Sequence, residues 1–227
     1  MKNFTQPNDD SIIYQKISDN IMQRFSIALI AAAQMFIGCD KNDLENDLYI
    51  ECGTRYYYYG TEKVFLTEIS NMGSISFYDI LSPEIINEIL ENHPEVEILS
   101  SPYNSRHYTI SIDSKNCFET DEIFNSIKKD SRVSNCNKFL MTKESFTFGI
   151  TDVFICKLKS NTTHDQLMEL IKKNEVEILK QDTEIHHYII RADKKSNGDA
   201  LEMANTFFES GLFEYSEANL FGLFRTF

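Results

Sequence analysis

The sequence predicts an α+β fold made of two tandem copies of one small unit, and three observations support this prediction. The string Glu-Val-Glu-Ile-Leu occurs at 95–99 and again at 175–179. The same offset aligns further identical residues, among them His107 with His187. Within each copy, short apolar runs typical of strands alternate in the same order with segments of helical periodicity.

Length and composition agree with two small folded domains. The 227 residues are 42% hydrophobic and include 17 Phe and 11 Tyr, which suffices for packed cores. Only 8 Gly and 4 Pro are present, which argues against a disordered chain. The formal net charge of −13 would repel nucleic acid phosphates, and we therefore expect no nucleic acid partner.

The second copy begins with a strand followed by a helix. Residues 153–158 form a mostly apolar run with strand character. Thr163 and Gln166 have the spacing of a capping box, and apolar positions within 167–171 then share one helical face. The polar run 172–174 predicts the end of this helix.

A hairpin, a second helix and a last strand complete the copy. The segments 175–179 and 186–191 are separated by a polar turn and are typical of paired strands. Apolar residues recur at helical spacing over 200–208, and Gly211 stands where a left-handed helix cap is expected. Residues 212–221 are predicted to form the last strand.

The first copy repeats this order of strand, helix, strand, strand, helix and strand. Its elements are predicted at 75–80, 82–91, 95–99, 106–112, 120–129 and 133–141. With right-handed crossovers, this order builds a four-stranded antiparallel sheet with two helices on one face, as in ferredoxin-like folds. The segment 144–149 is too short for a free linker, so the two sheets are expected to lie close together.

A short β-hairpin is predicted before the first copy. It consists of the tyrosine run 56–59, the turn at Gly60-Thr61 and the apolar run 63–66. The tyrosines are either ordinary strand residues or a recognition surface, since strands favour tyrosine in any case. The predicted organisation is a polar extension at 1–21, a signal at 22–38, a linker and hairpin at 39–70, and units at 71–149 and 150–227.

An export signal is predicted near the start of the chain. Arg24 precedes a short apolar run at 26–37, and Gly38 stands directly before Cys39. This pattern resembles a bacterial lipoprotein signal, which implies lipidation of Cys39 and anchoring of the exported chain in the cell envelope, on the periplasmic face or the cell surface. Phe36 replaces the leucine that is usual three places before the cysteine, and residues 1–21 lie upstream of the true start if translation begins at Met22. A buried amphipathic helix that begins the fold is the alternative.

The remaining cysteines show no framework of their own. Cys52, Cys117, Cys136 and Cys156 lack Cys-x-x-Cys spacing, and the last three do not recur in register between the copies. They are interpreted as individual packing residues or as one opportunistic disulfide.

No catalytic or metal-binding constellation is evident in the sequence. His186 and His187 are neighbours, and on a strand they would point to opposite faces and would not bind one metal. No glycine-rich phosphate loop and no nucleophile motif occur. The chain is therefore expected to use no cofactor and not to be an enzyme, although a hydrolase with an unrecognised site is a third class of function that motif absence does not exclude.

Three segments resemble a known family. The segments 151–159, 175–179 and above all 198–219 are similar to the N-terminal prodomain of bacterial subtilisin-like serine peptidases, particularly lipoprotein members. The resemblance covers roughly Cys39 to the end of the chain. It implies a ferredoxin-like unit whose sheet packs on the peptidase, which it helps to fold and also inhibits.

The resemblance further implies that the segment after the last strand enters the substrate cleft of the peptidase. In this chain that tail comprises Leu220, Phe221, Gly222, Leu223 and Phe224. The Asp-Thr-Gly, His-Gly and Gly-Thr-Ser-Met signatures of the peptidase domain are absent from the sequence. The expected function is that of a separate inhibitor or folding chaperone, or of the truncated remnant of a precursor. The alternative is a lipid-anchored cell-envelope protein that binds another protein or a small ligand.

Overall fold

The computed structural model describes residues 49–100 and 105–222, in which nine strands and four helices form an α+β fold. The first part contains β1 (Glu51–Tyr59), β2 (Glu62–Phe77), α1 (Pro83–Leu90), β3 (Val96–Ser100), β4 (His107–Ile112), α2 (Cys117–Ile127) and β5 (Val133–Met141). The second part contains β6 (Thr147–Leu158), α3 (His164–Asn174), β7 (Glu177–Asp182), β8 (His187–Arg191), α4 (Ala200–Glu209) and β9 (Phe213–Gly222).

The strand order is the same in both parts of the chain. The first unit, β2 to β5, has the order β3-β4-β2-β5, and the second unit, β6 to β9, has the order β7-β8-β6-β9. All the pairings are antiparallel. The prediction of an α+β fold with antiparallel pairing is thereby confirmed.

The helix caps follow local sequence signals. At the start of α3 the predicted capping box is formed by Thr163 and Gln166. A second capping box, which the sequence analysis missed, joins Asp199 and Glu202 at the start of α4. Gly211 has φ +76° just after α4, as the predicted left-handed cap requires. The helix predicted at 120–129 begins three residues earlier, because Asn116 accepts a hydrogen bond from the Glu119 amide.

The second strand of the predicted hairpin and the predicted first strand of the first unit are one continuous strand, β2, and not two separate strands as predicted. Strand β2 pairs with β1 along its first half and with β4 along its second half, and it ends at Phe77 rather than at residue 80. Its register shifts between Ile69 and Gly73, where it changes partners. Strand β6 changes from β5 to β8 across a similar irregularity between Ile150 and Phe154.

The two predicted sheets are joined into one nine-stranded sheet. Leu140 and Met141 at the end of β5 pair with Phe148 and Thr147 at the start of β6. Two separate sheets that lie close together were expected, whereas hydrogen bonds between β5 and β6 connect the two sheets directly.

Each unit has a core between its sheet and its pair of helices. The core of the first unit includes Ile75, Ile110 and Phe124, and the core of the second includes Phe154 and Phe207. The second core also contains Leu66 and Leu140 from β2 and β5. Because these two side chains come from outside the second unit, the second core is not complete without the first part of the chain.

The duplicated pentapeptide has the same structural role in both copies. Val176 and Ile178 pack against the second core, as Val96 and Ile98 do against the first. The register shifts after the isoleucine in each copy, which leaves the repeated leucine exposed at a bulge of an edge strand. The predicted strand at 175–179 begins only at Glu177, because Glu175 caps α3 with φ +53°.

One disulfide joins Cys52 in β1 to Cys117 at the start of α2. Cys136 and Cys156 are free and buried. The cysteines were interpreted as packing residues or as one disulfide. The structure contains both, because one pair forms a disulfide and the other two cysteines pack in the interior. Within the described residues, no helix is long and apolar enough to span a bilayer. The predicted signal and Cys39 lie outside the described residues.

Candidate functional site

Within the described residues, one face of the sheet of the second unit is partly exposed, and we call it the outer face. It lies on the side of the sheet opposite α3 and α4. Alternation along β6 turns Phe154, Cys156 and Leu158 to the helices, so that Ile155 and Lys157 lie on the other side. Their pairing partners complete the outer face, which comprises Ile155, Lys157, His187, Ile189, Tyr215 and Glu217.

The outer face combines an apolar centre with polar neighbours. Ile155 and Ile189 lie side by side and are partly exposed. The rings of His187 and Tyr215 are 5.9 Å apart, and burial against such neighbours lowers the pKa of His187 below its usual value. His187 is therefore neutral at neutral pH, and this part of the outer face presents rings without a charge.

The corresponding face of the first unit is buried, in contrast to the outer face of the second. Ser74 and Asn137 lie on this face, and both are buried. The Ser74 hydroxyl donates a hydrogen bond of 2.8 Å to the carbonyl of Ile150, and the Asn137 amide donates one of 3.4 Å to the same oxygen. Strand β6 thus covers the first sheet with polar contacts, and we call this contact the polar seam.

Asp152 is the buried charge at the centre of the polar seam. Its carboxylate has no solvent exposure and accepts a 2.6 Å hydrogen bond from Ser134 and two 3.2 Å hydrogen bonds from Arg106. The Nε atom of Arg191 lies 3.4 Å from the same carboxylate. A buried carboxylate of this kind requires both cations and hydrogen-bond donors, since an unpaired charge would be costly.

The polar seam brings together a serine, a histidine and an aspartate, a combination that the sequence analysis did not find. The Ser76 hydroxyl lies 2.9 Å from Nδ1 of His107, and Nε2 of His107 lies 4.0 Å from Asp152. Burial is the main cause that lowers the pKa of His107, to about 4. Ser76 is only 1% exposed and cannot reach a substrate carbonyl, so this arrangement is structural and not a nucleophilic centre.

The histidine pair and the acidic residues form no metal site in the described part of the chain, where no group of three or more His, Cys, Asp or Glu could hold an ion. His187 lies in β8, whereas His186 has φ +56° in the preceding turn. The strand that was predicted to begin at residue 186 therefore begins at His187.

A polar cleft lies between the two units. Its volume is about 280 Å³, and its walls are the outer edge of β5, one side of α2 and the loop that leads into α4. Lys138 is paired with Asp121 at 2.5 Å, and Arg55 with Asp199 at 2.9 Å. Since four cationic and four anionic side chains line the cleft, it favours polar ligands without selecting one sign of charge.

Three of the five predicted tail residues lie in β9. Leu220, Phe221 and Gly222 pair with Ile150, Gly149 and Phe148 of β6. The Phe221 ring packs against Phe139 at 6.0 Å and lies 6.5 Å from the His107 ring. Leu223, Phe224 and the predicted lipidation site Cys39 lie outside the described residues. The prediction that the tail begins at Leu220 is therefore wrong, since Leu220, Phe221 and Gly222 belong to the sheet.

Comparison with known proteins does not show a family for this chain. No family model matches the sequence, and no curated protein matches it. Among solved structures, the small subunit of acetolactate synthase from Thermotoga maritima matches 68% of this chain and 98% of its own length, with 9% identity and a TM-score of 0.26. A TM-score this low supports no inference about function.

Proposed function

We propose that this chain is a non-catalytic, prodomain-like protein that binds a subtilisin-like serine peptidase as an inhibitor or folding chaperone. In this proposal the two units are tandem ferredoxin-like domains with different roles. The first unit supports the second through the polar seam, and the second presents its outer face to the peptidase.

The observation that carries the proposal is the difference between the two sheet faces. The segment 198–219, which most resembles a peptidase prodomain, forms α4 and most of β9. Strand β9 contributes Tyr215 and Glu217 to the outer face. The segment with the family resemblance and the free sheet face thus belong to the same unit, as expected if the sheet packs on a peptidase.

The outer face also has the composition of a protein interface. Protein interfaces commonly have an apolar and aromatic centre surrounded by polar side chains. Here Ile155, Ile189 and Tyr215 form such a centre, while Lys157 pairs with Glu214 at 2.7 Å on the rim.

A refolding assay tests this proposal. The full-length chain is added to a denatured subtilisin-like peptidase domain encoded near its own gene, and the yield and activity of the refolded enzyme are measured. We expect a higher yield or inhibition of the activity, and the Tyr215→Ala variant should bind at least about tenfold more weakly because it loses an interface aromatic side chain. Phe118→Ala removes an aromatic side chain that is 70% exposed on α2 and should have no effect.

Two results would argue against the proposal. One is an unchanged yield and activity with the wild-type chain. The other is equal binding by Tyr215→Ala, Ile189→Thr and wild type, since these two substitutions alter the centre of the outer face in different ways.

The polar cleft supports a second candidate function, a cell-envelope protein that binds a small ligand. None of the residues that line the cleft belongs to the outer face, and the cleft is lined by charges of both signs. Saturable binding of a small zwitterionic ligand that is lost in the Lys128→Ala variant, without any contact with a peptidase, would favour this function.

We also propose that the chain is exported and held at a membrane by lipid on Cys39. The signal pattern at 22–39 motivates the proposal, and the disulfide between Cys52 and Cys117 supports it, because disulfides persist mainly in oxidising compartments. Mass spectrometry of the membrane fraction should find acylated Cys39, and an unmodified Cys39 would contradict the proposal.

A further inference from the structure

The polar cleft has two ends that differ in charge. The first, which we call the acidic end, comprises Arg55, Glu68, Asp121, Lys138 and Asp199. Lys138 pairs with Asp121 at 2.5 Å. Arg55 pairs with Glu68 at 3.1 Å and with Asp199 at 2.9 Å, and Glu202, outside the cleft, lies 3.8 Å from Arg55 as well. Carboxylates thus outnumber cations at this end, which favours a positively charged group of a ligand.

The other end of the cleft, which we call the basic end, is lined by Lys128 directly after α2 and by Lys194 in the loop that leads into α4. Burial raises the pKa of the Cys136 thiol in the cleft wall, and the charges of Lys128 and Lys194 act in the opposite direction, so both ammonium groups lie near this residue. Asp193 is the carboxylate that lines the cleft beside Lys194, and it accepts a 2.6 Å hydrogen bond from Tyr78.

Charges just outside the cleft leave the basic end positive. Arg132 pairs with the carboxylates of Asp130 and Glu88, at 2.6 and 3.1 Å. Burial lowers the pKa of Lys194, Asp130 and Asp193 raise it, and the nearby Lys195 ammonium adds to the lowering. Cations therefore outnumber carboxylates around this end, which favours a negatively charged group of a ligand.

Between the two ends, the backbone of β5 has an edge without a partner strand in the described residues. The Ser134 carbonyl accepts a 2.8 Å hydrogen bond from the loop that leads into α4, and Leu140 pairs with β6. Because alternate residues of a strand direct their backbone groups to the same side, Cys136 and Lys138 also direct theirs away from β2 and towards the cleft. The Cys136 amide donates a 2.9 Å hydrogen bond to the side chain of Asn135 instead of to a strand. Such an edge is a template for an added strand.

The separation of the two ends matches the length of a short peptide. Asp121 and Lys128 lie two helical turns apart along α2, which separates their Cα atoms by about 10 Å. An extended peptide of three residues also spans about 10 Å. The cleft volume of about 280 Å³ lies at the lower limit of small-molecule pockets, so longer peptides are excluded.

The disulfide holds the walls of the acidic end together before any ligand binds. It joins Cys52 in β1 to Cys117 in α2. Arg55 follows Cys52 closely on β1, and Asp121 lies about one helical turn after Cys117. The two walls that carry these side chains are thus cross-linked, which lowers the cost of ordering the site on binding.

We propose that the polar cleft binds a zwitterionic peptide of two or three residues as a short strand added to the edge of β5. The proposal rests on the second candidate function and names its ligand. The peptide ammonium group lies at the acidic end and the peptide carboxylate at the basic end. Because β5 runs from the basic end towards the acidic end, the peptide is antiparallel to β5, like the strands of the sheet. Main-chain hydrogen bonds to β5 supply affinity, and the two ends select free termini.

Calorimetric titration of the full-length chain with trialanine tests the proposal. Wild type should bind one trialanine molecule per chain with saturation. Trialanine amide lacks the carboxylate and N-acetyltrialanine lacks the ammonium group, so each should bind at least about tenfold more weakly. The Lys128→Gln variant should bind trialanine severalfold more weakly than wild type, but should bind trialanine amide as wild type does. Lys143→Gln, which removes an exposed lysine outside the cleft, should bind trialanine with unchanged affinity.

The peptide derivatives are measured on wild type, so the outcome does not depend on the folding of a variant. Absence of trialanine binding, or equal binding of trialanine and its two derivatives, would overturn the proposal. L-Alanine is titrated in parallel. If it binds as tightly as trialanine, the second candidate function is supported and the peptide proposal is overturned, whereas binding of neither contradicts both. No peptidase is present, so the refolding assay reports on the peptidase proposal separately.

Discussion

At the scale of single residues, the protonation of His107 in the polar seam makes the stability of the fold depend on pH. Its pKa is lowered to about 4 by burial and, to a smaller extent, by Arg106 and Arg191, while Asp152 acts in the opposite direction. A folded histidine with a lowered pKa binds fewer protons than the unfolded chain between the two pKa values. Stability must therefore fall as the pH falls from about 6.5 towards 4.

The first prediction follows from this linkage. The contribution of His107 to the pH dependence should be at most about 3 kcal/mol between pH 6.5 and 4, because its pKa differs between the folded and unfolded states. Urea unfolding over this pH range should show a flatter profile for His107→Gln than for wild type. His164→Gln, at an exposed helix start, should keep the wild-type profile, and equal slopes in all three proteins would refute the prediction.

The second prediction concerns Gly149, where two aromatic rings approach the backbone. A Cβ atom at this position would lie 2.5 Å from Phe221 and 2.6 Å from Phe139. Gly149→Ala should therefore lower the free energy of unfolding by about 1–3 kcal/mol, as overpacking does elsewhere. Gly222→Ala is the matched control, because its Cβ would make an ordinary contact at 3.6 Å with Phe148. Equal stability of the two variants would show that the rings give way freely.

At the scale of elements, the two copies use the same edge-strand device. Leu99 and Leu179 are the fifth residues of the duplicated pentapeptide, and both are exposed at register shifts. The repeated sequence predicted a strand in each copy, but it did not predict that the leucine would be exposed at a bulge. A bulge increases the local twist and interrupts a flat edge, which disfavours pairing with other chains.

The third prediction concerns the disulfide that joins β1 to α2 and its contribution to the stability of the fold. Cys52 and Cys117 are 65 residues apart in sequence, and closing a loop of this length stabilises the fold by about 4 kcal/mol in the chain-entropy treatment. Reduction, or the double substitution Cys52→Ser and Cys117→Ser, should lower the free energy of unfolding by about this amount. The urea midpoint should fall with it. Burial raises the pKa of the Cys136 and Cys156 thiols, so these two should not exchange with the bridge. A midpoint that reductant does not change would contradict the prediction.

At the scale of the whole molecule, the two units depend on each other. Leu66 and Leu140 enter the second core, Asp152 joins the units at the polar seam, and β5 pairs with β6. Each of these contacts is lost if one unit unfolds while the other remains folded. The sheet is therefore expected to unfold as one cooperative body.

This expectation is the fourth prediction. Phe118→Trp places a fluorescent reporter in the first unit, and Met168→Trp places one on α3 of the second, at side chains that are already exposed. Urea transitions of the two variants should coincide with each other and with circular dichroism. Two separated midpoints would show that the units unfold independently.

The sequence predicted the order of the strands and helices more successfully than it predicted which elements pack against one another. The capping box at Thr163 and the left-handed cap at Gly211 depend on neighbouring residues, so local patterns were sufficient. The alternation of Ser74 and Ser76 with apolar neighbours is typical of a solvated sheet face, yet both serines are buried. Nothing local distinguishes a polar face covered by water from one covered by β6.

The sequence by itself determined an α+β protein with repeated strand and helix order, because hydrophobic periodicity and caps are read over a few residues. Only the tertiary structure decided that the sheets join through β5 and β6, that Asp152 is buried among distant side chains, and that the outer face is partly exposed within the described residues. These features arise from contacts between residues far apart in the chain. Their energies depend on what the folded chain places opposite each strand, and a linear pattern of polar and apolar residues does not encode that information directly.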